Sequence, residues 1–365
     1  TGTIQPITYH LIEALDGGTI DLSNVTEISG LDGGTLNLRG IQVLADGINS
    51  QVDLSSLTSF TNDAPEPDSK ITVRNNGMVI ADRLTALDGT GLVLDQANGL
   101  PTSQITTYTR GAVTVDNIAA DFSGMTNISG SSFTLVNGGT TNLDNAVNID
   151  EASFFVNDGV TLSLPSATSY VTSDSRFDDS IFRAEGAGST LDLSNLTSIT
   201  GTIQPITYHL IEALDGGTID LSNVTEITAP DGGSSNLRGV QVLADGANSQ
   251  VDLSALTSFT NDAPEPDSKL SVLSNGSILV SQLATLLGVD LVSDASILAL
   301  PALSAYRGTN LVNALNAGTV NLSNLSEITD GPLTLRADGI NSLITAATLP
   351  GLVREEENGG IVTLI

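Results

Sequence analysis

The chain of 365 residues carries 42 acidic against 12 basic side chains, for a formal net charge of −30, and it has no Cys and no Trp. A surface this negative repels phosphate and anionic lipid, and no Lys/Arg cluster reverses the sign locally, so the composition points away from nucleic acid. Without Cys there are neither disulfide staples nor thiol catalysis, and no apolar run approaches the ~20 residues of a membrane-spanning helix, so no membrane insertion is expected.

In chain order, the first element to stand out is a block that returns. Thr1 to Lys70 reappears as Thr200 to Lys269 with eight substitutions, a displacement of 199 residues. Inside it lies a shorter repeat. Ile20, Leu22, Val25 and Ile28 are spaced by two, three and three residues, and the same register follows at Val52–Phe60 and Val79–Leu87. A looser version near Leu100, Ile105 and Tyr108 precedes the sets that begin at Ala120, Leu143, Leu162, Leu191, Ile219, Val251, Ile278, Leu298, Val320 and Ile344. About fourteen rungs of about 20 residues result, and the longer coils read as the same coil plus an insertion.

Two-residue alternation, as in Leu191-Asp192-Leu193, makes the rungs short strands. Asp16-Gly17-Gly18, Asn76-Gly77 and Asn137-Gly138-Gly139 punctuate them as corners that allow positive φ. The only candidate helices are short: Tyr9 to Leu15, its duplicate Tyr208 to Leu214, and Ile118 to Asp121. Strands with tight corners at this period predict an all-β chain, a parallel β-solenoid and specifically a right-handed β-helix of about fourteen coils. A leucine-rich-repeat horseshoe fits less well, because the repeat Asn, as in Asn24, falls two residues after the second leucine and no helical return follows. Asp21, Asp121, Asp220 and Asn321 recur at intervals of 100, 99 and 101 residues. They divide one continuous solenoid over 1–365 into modules of about 1–100, 101–199, 200–299 and a partial 300–365. The chain reads as a piece of a longer repeat protein, with uncapped ends and with Gly360–Ile365 opening another coil.

Rungs such as GSTLDLSNLTSITG at Gly188–Gly201 and SQVDLSSLTSFTND at Ser50–Asp63 resemble the long secreted β-helical repeat proteins of bacteria, among them autotransporter passengers and filamentous-haemagglutinin-like adhesins. The resemblance implies an extracellular or cell-surface stalk, fibre or adhesin. Its expected partners are neighbouring repeats of the same protein or further copies, and a cell-surface polysaccharide or host surface. It brings no catalytic residue with it.

The chemistry-bearing residues are few. His10 and its duplicate His209 each precede a Glu by three positions, Glu13 and Glu212, but nothing nearby resembles a nucleophile or metal shell, so both read as surface histidines on an outward face. A β-helical polysaccharide lyase or hydrolase is the enzymatic alternative, and it lacks clustered basic residues or an aromatic-lined groove. The acidic loop NDAPEPDS occurs twice. Its carboxylates, Asp63, Glu66 and Asp68 in one copy and Asp262, Glu265 and Asp267 in the other, are the candidate calcium ligands, because calcium takes several oxygen donors. The corners at Asp16, Asp32, Asp46, Asp215, Asp231 and Asp245 are weaker candidates, and no calcium-binding nonapeptide is present. Threonines spaced three apart do not make the regular ladder of an ice-binding face, and the Asn-x-Ser/Thr triplets follow from the rung consensus.

Overall fold

A computed structural model describes residues 8–30, 39–63, 68–172, 178–233 and 237–365. Two compact units are present: Thr1–Ser153 with Leu162–Ser166, and Phe154–Thr161 with Ala167–Ile365. Each is an all-β parallel solenoid, and among the described residues there is no helix.

A complete coil has three strands. In the first unit the long face runs Thr8–Leu15, Arg39–Asp46, Ser69–Arg74, Thr90–Leu94, Ala112–Asp116 and Ser132–Val136, each parallel to the next. A second face starts with Thr19–Asp21, Gln51–Asp53 and Met78–Ile80, and a third with Glu27–Gly30, Ser59–Asn62, Ala86–Asp88 and Thr107–Thr109. The second unit repeats the pattern, for example with Tyr208–Leu214, Thr218–Asp220 and Glu226–Ala229. The register is unshifted: Ile20 lies on Val52 and Val52 on Val79, while Ile199, Ile227, Phe259, Leu286 and Tyr306 follow one another on the third face.

The two-three-three spacing is now explained. Its first residue points inward from the second face, its second and third bracket a tight turn, and its fourth points inward from the third face. Val224 N–H donates to the Leu221 carbonyl at 2.9 Å within that turn, and the same bond recurs between Leu57 and Leu54 at 2.8 Å. The Asp between the first two apolar residues caps the turn, because its Oδ1 accepts the N–H two residues on: Ser23 to Asp21, Ser123 to Asp121, Ser222 to Asp220 and Ser323 to Asn321. Those serines hold the Asp21 and Asp121 carboxyls below the usual carboxylate range. The loose rung at Leu100–Tyr108 has no second-face strand, yet Leu100, Ile105 and Tyr108 are buried.

Stacked inward residues fill the core. Leu193, Leu221 and Leu253 are fully buried, and each contributes about 1.5–3 kcal/mol relative to exposure. Small residues also point inward, with Ala81, Ala146 and Ala167 fully buried. Aromatic rings meet between coils: Tyr108 and Phe133 are edge-on at 5.7 Å, and Tyr170 lies 4.6 Å from Phe182.

Three expectations need correction. Tyr9–Leu15 and Tyr208–Leu214 belong to long-face strands, not helices, and Ala119–Asp121 is a second-face strand. The reason is the neighbouring coil: Thr8–Leu15 pairs along its whole length with Arg39–Asp46, and that ladder outweighs local helical spacing. Gly360–Ile365 does not open a coil; Ile361–Leu364 is the second-face strand of the coil begun by Leu352–Glu357 and pairs with Leu343–Ala346. Its long-face strand is exposed from Val353 to Glu357. It puts Arg354 over Leu335 and Glu356 over Ala337, charged groups at inward places, and Glu356 Oε1 accepts the Val362 N–H at 2.9 Å.

Candidate functional site at the loop-bearing corner

Coil length varies at one corner. In the second unit the residues that lengthen a coil lie between the third-face strand and the next long-face strand: Thr200 to Tyr208, Ala229 to Gly239 and Asn261 to Ser268. Short coils cross the same corner almost at once, from Leu287 to Val289 and from Arg307 to Asn310. An extension here leaves the inward columns untouched. Both acidic loops and both histidines belong to this corner.

The strand Tyr208–Leu214 alternates outward and inward, with His209, Ile211 and Ala213 inward and Tyr208, Leu210 and Glu212 outward. His209 and Glu212, three apart, therefore face opposite sides and do not form a catalytic pair. His209 is 0% exposed, which corrects its reading as a surface residue. Its ring lies 4.4 Å from that of Phe182 and 4.7 Å from that of Tyr170. Nδ1 is 3.2 Å from the Ser180 carbonyl oxygen and 3.0 Å from Ser180 Oγ. Ser180 thus faces Nδ1 with a carbonyl that accepts and a hydroxyl that donates or accepts, and Nε2 has no hydrogen-bond partner. Burial drives the imidazole pKa down to about 3, so the ring stays neutral. The duplicate differs: His10 is exposed.

Tyr208 reaches over a whole coil. Its hydroxyl donates to Asp267 Oδ2 at 3.0 Å, 59 residues on, as Tyr9 donates to Asp68 at 2.6 Å in the first unit. The coil between is Gly239 or Gly40, where an added Cβ would meet Ser268 Oγ at 2.6 Å or the Asp68 carbonyl oxygen at 2.2 Å. Glycine is needed there for close approach of backbones. Burial and the Asp267 charge push the Tyr208 phenol up to about 12, which makes it a hydrogen-bond donor and not a base. Asp267 also pairs with Lys269 at 2.6 Å, and Asp68 with Lys70 at 3.2 Å.

Beneath the loop, buried Asn261 makes three hydrogen bonds. Its Nδ2 donates to the Arg238 carbonyl at 2.9 Å and to Ser268 Oγ at 3.0 Å, and its Oδ1 accepts the Ala263 N–H at 3.0 Å. Ser268 Oγ accepts the Val240 N–H in turn. Asn62 and Ser69 repeat the contact at 3.0 Å. Arg238, fully buried, sits 3.5 Å from Asp231, and Arg183 Nε donates to Glu212 Oε2 at 2.8 Å. Sequence reasoning passed over Asn261, Ser268 and Arg238; their clustering around a twice-used loop was the available signal.

Five of the six carboxylates expected to hold calcium are described. Glu66 lies outside the described residues. Asp63 is 3.8 Å from Arg110, Asp68 and Asp267 bind tyrosine and lysine, and Asp262 and Glu265 are exposed. Among the described residues no group of three or more His, Asp or Glu side chains is placed to hold a metal ion. The chemistry that the corner supports is fastening: its hydrogen bonds and ion pairs tie a loop to the coil below. Comparison with protein-family models, curated proteins and solved structures finds no match.

Proposed function

We propose that this chain is a non-catalytic structural repeat region of a bacterial cell-surface or extracellular protein, serving as a stalk, fibre or adhesin. The observation that carries this reading is the use of the same inward columns and the same capped turn in coil after coil, so that each coil rests on its neighbours and units lengthen without a redesigned core. The corner that varies supports it as well, since its polar residues serve contacts between coils. Immunogold electron microscopy of producing cells, with an antibody to this segment, is expected to show label along extended surface material. Label confined to soluble secreted protein overturns the reading and favours a polysaccharide-cleaving enzyme.

Calcium stiffening of the acidic loops is the second part of the proposal. It rests on the exposed Asp262 and Glu265 beside a loop anchored at both ends by Asn261 and Ser268. The thermal midpoint is expected to rise on adding calcium and to fall back in a chelator, while magnesium at equal ionic strength does less. A midpoint that follows ionic strength alone removes the metal from the proposal.

A further inference from the structure

Corner length sets the relief of the second unit where its long face meets its second face. Four residues, 339–342, join Asp338 to Leu343, whereas two, Ala295 and Ser296, join Asp294 to Ile297. The long corner lifts Ile340 to 75% exposure, and the short one leaves an open recess of about 560 Å³ lined by Asn275, Gly276, Ala295, Ser296, Ile297 and Ala317. Polar groups of the short corner are used within the chain. Ser296 Oγ accepts the Asn275 N–H at 2.8 Å, and the Ser296 carbonyl accepts the Ser293 hydroxyl at 2.7 Å and the Thr319 N–H at 2.8 Å. What the recess offers is therefore mostly Gly, Ala and Ile, with Ile297 itself 70% exposed.

The surface around them carries no charge. Asp192, Asp220 and Asp252 stand outward earlier on the second face, but residues 277–286, 295–306, 316–326 and 339–352 contain no Asp, Glu, Lys or Arg, in a chain of net charge −30. The five second-face strands Ser277–Leu279, Ile297–Ala299, Thr319–Leu322, Leu343–Ala346 and Ile361–Leu364 are uncharged throughout. An exposed apolar patch of this kind marks a contact surface. Five strands at ~4.8 Å, by about eight residues at ~3.3 Å each, make a face of about 600 Å². Two such faces bury about 1,200 Å², the lower edge of what a specific interface needs.

We propose that this uncharged face is where two copies of the chain associate, face to face and antiparallel. Thr319–Leu322 is the middle strand of the five, with the recess centred one coil before it and Ile340 one coil after. A two-fold axis lying in the interface and crossing that strand sets each copy's Ile340 on the other's recess, so knob and hole meet twice, as an isologous contact requires. Against the column of Asp192, Asp220 and Asp252 a second copy would meet like charge, and here it meets none. Salt screens the net charge of the two copies and so strengthens this contact, whereas it would weaken one made of ion pairs. The inference depends on this face and not on the proposed role, so either can fail alone.

Sedimentation velocity of the full chain over a concentration series is expected to show a reversible monomer–dimer equilibrium that tightens from low to high salt. The corner text Gly-Ile-Asn-Ser occurs at 47–50 as well as at 339–342, and Ile48 is 68% exposed, which supplies a control. Ile340→Asp is expected to weaken the dimer about tenfold or more. Ile48→Asp, at a corner whose second-face strands end in Asp21 and Asp53, is expected to leave it unchanged. Both side chains are exposed, so both variants should keep the thermal midpoint of the parent. Because the chain has no Cys, Thr319→Cys gives a single thiol, which a short bismaleimide is expected to join to its counterpart across the two-fold axis, while Thr190→Cys stays unjoined. The proposal is overturned if the chain is monomeric at every concentration and salt, which leaves the face to a different partner. It is also overturned if Ile48→Asp weakens the dimer as much as Ile340→Asp, or if Thr190→Cys is joined as readily as Thr319→Cys.

Discussion

Replacing His209 with Phe flattens the acid side of the stability profile. The unfolded imidazole takes a proton near pH 6.5, whereas the folded one, sealed between Tyr170 and Phe182, does so only near pH 3. The folded pKa is the lower of the two, so the stabilisation is complete above pH 6.5 and is lost as pH falls from there toward 3. At pH 5 the loss is about 2 kcal/mol, set by the unfolded value because the folded ring is still neutral. Urea unfolding of parent and His209→Phe at pH 7 and pH 5 isolates this difference, since the acidic residues are common to both. Phenylalanine keeps the ring and its contacts with Phe182. Equal pH dependence in the two chains would mean that His209 is reached by water and the corner is open.

The second large effect is expected from Gly139→Ala, which should cost about 3 kcal/mol, against about 1 kcal/mol for Gly138→Ala one residue earlier. A Cβ at Gly139 would stand 2.0 Å from the Val115 carbonyl oxygen in the coil below, a backbone atom that can yield only by opening the stack. Gly138 has φ +79 but nothing within 4 Å of its Cβ position, so alanine there meets only left-handed strain. The same contact recurs at Gly77 on Ala45, Gly217 on Ala184, Gly276 on Ala244 and Gly318 on Ser293, at 2.0–2.2 Å. Thermal unfolding of the two single variants settles the order. If Gly138→Ala is the more damaging, the corner is governed by backbone conformation and not by the spacing of coils.

That glycine shows where sequence reading stops. Its place at the corner was legible, but the reason assigned there, positive φ, belongs largely to the residues before it: at Asn75-Asn76-Gly77 the two asparagines adopt φ 53 and 64, and the glycine makes room for the coil beneath. The second and third faces were legible because their inward residues keep fixed distances around a turn of constant length. The long face was not. In Tyr9–Leu15 apolar residues stand at 11, 12, 14 and 15, a spacing that suits a helix, because Leu11 and Leu15 are outward residues, 54% and 46% exposed. Only parallel pairing with Arg39–Asp46 decides between the two, and pairing is not a local property. The histidines fail for the same reason. His10 and His209 have the same neighbours in sequence and opposite surroundings, so no reading of adjacent residues could separate them. Of the calcium candidates, sequence could supply carboxylates, a stiff loop and the lysine two residues on, but not the tyrosine that arrives from a strand 59 residues earlier to occupy Asp68 and Asp267.

The carboxylates that cap the turns of three successive coils have a consequence for how the repeat grows. Asp192, Asp220 and Asp252 stand directly above one another, at the ~4.8 Å spacing of neighbouring strands, each accepting the N–H of the serine two residues on. Other coils fill this place with Ile80, Ser163, Leu279 or Ala299 and add no charge there. Duplicating a block that holds Asp-capped coils therefore duplicates a column of negative charge together with the core, so the repulsion that keeps neighbouring molecules apart is copied with the segment that lengthens them.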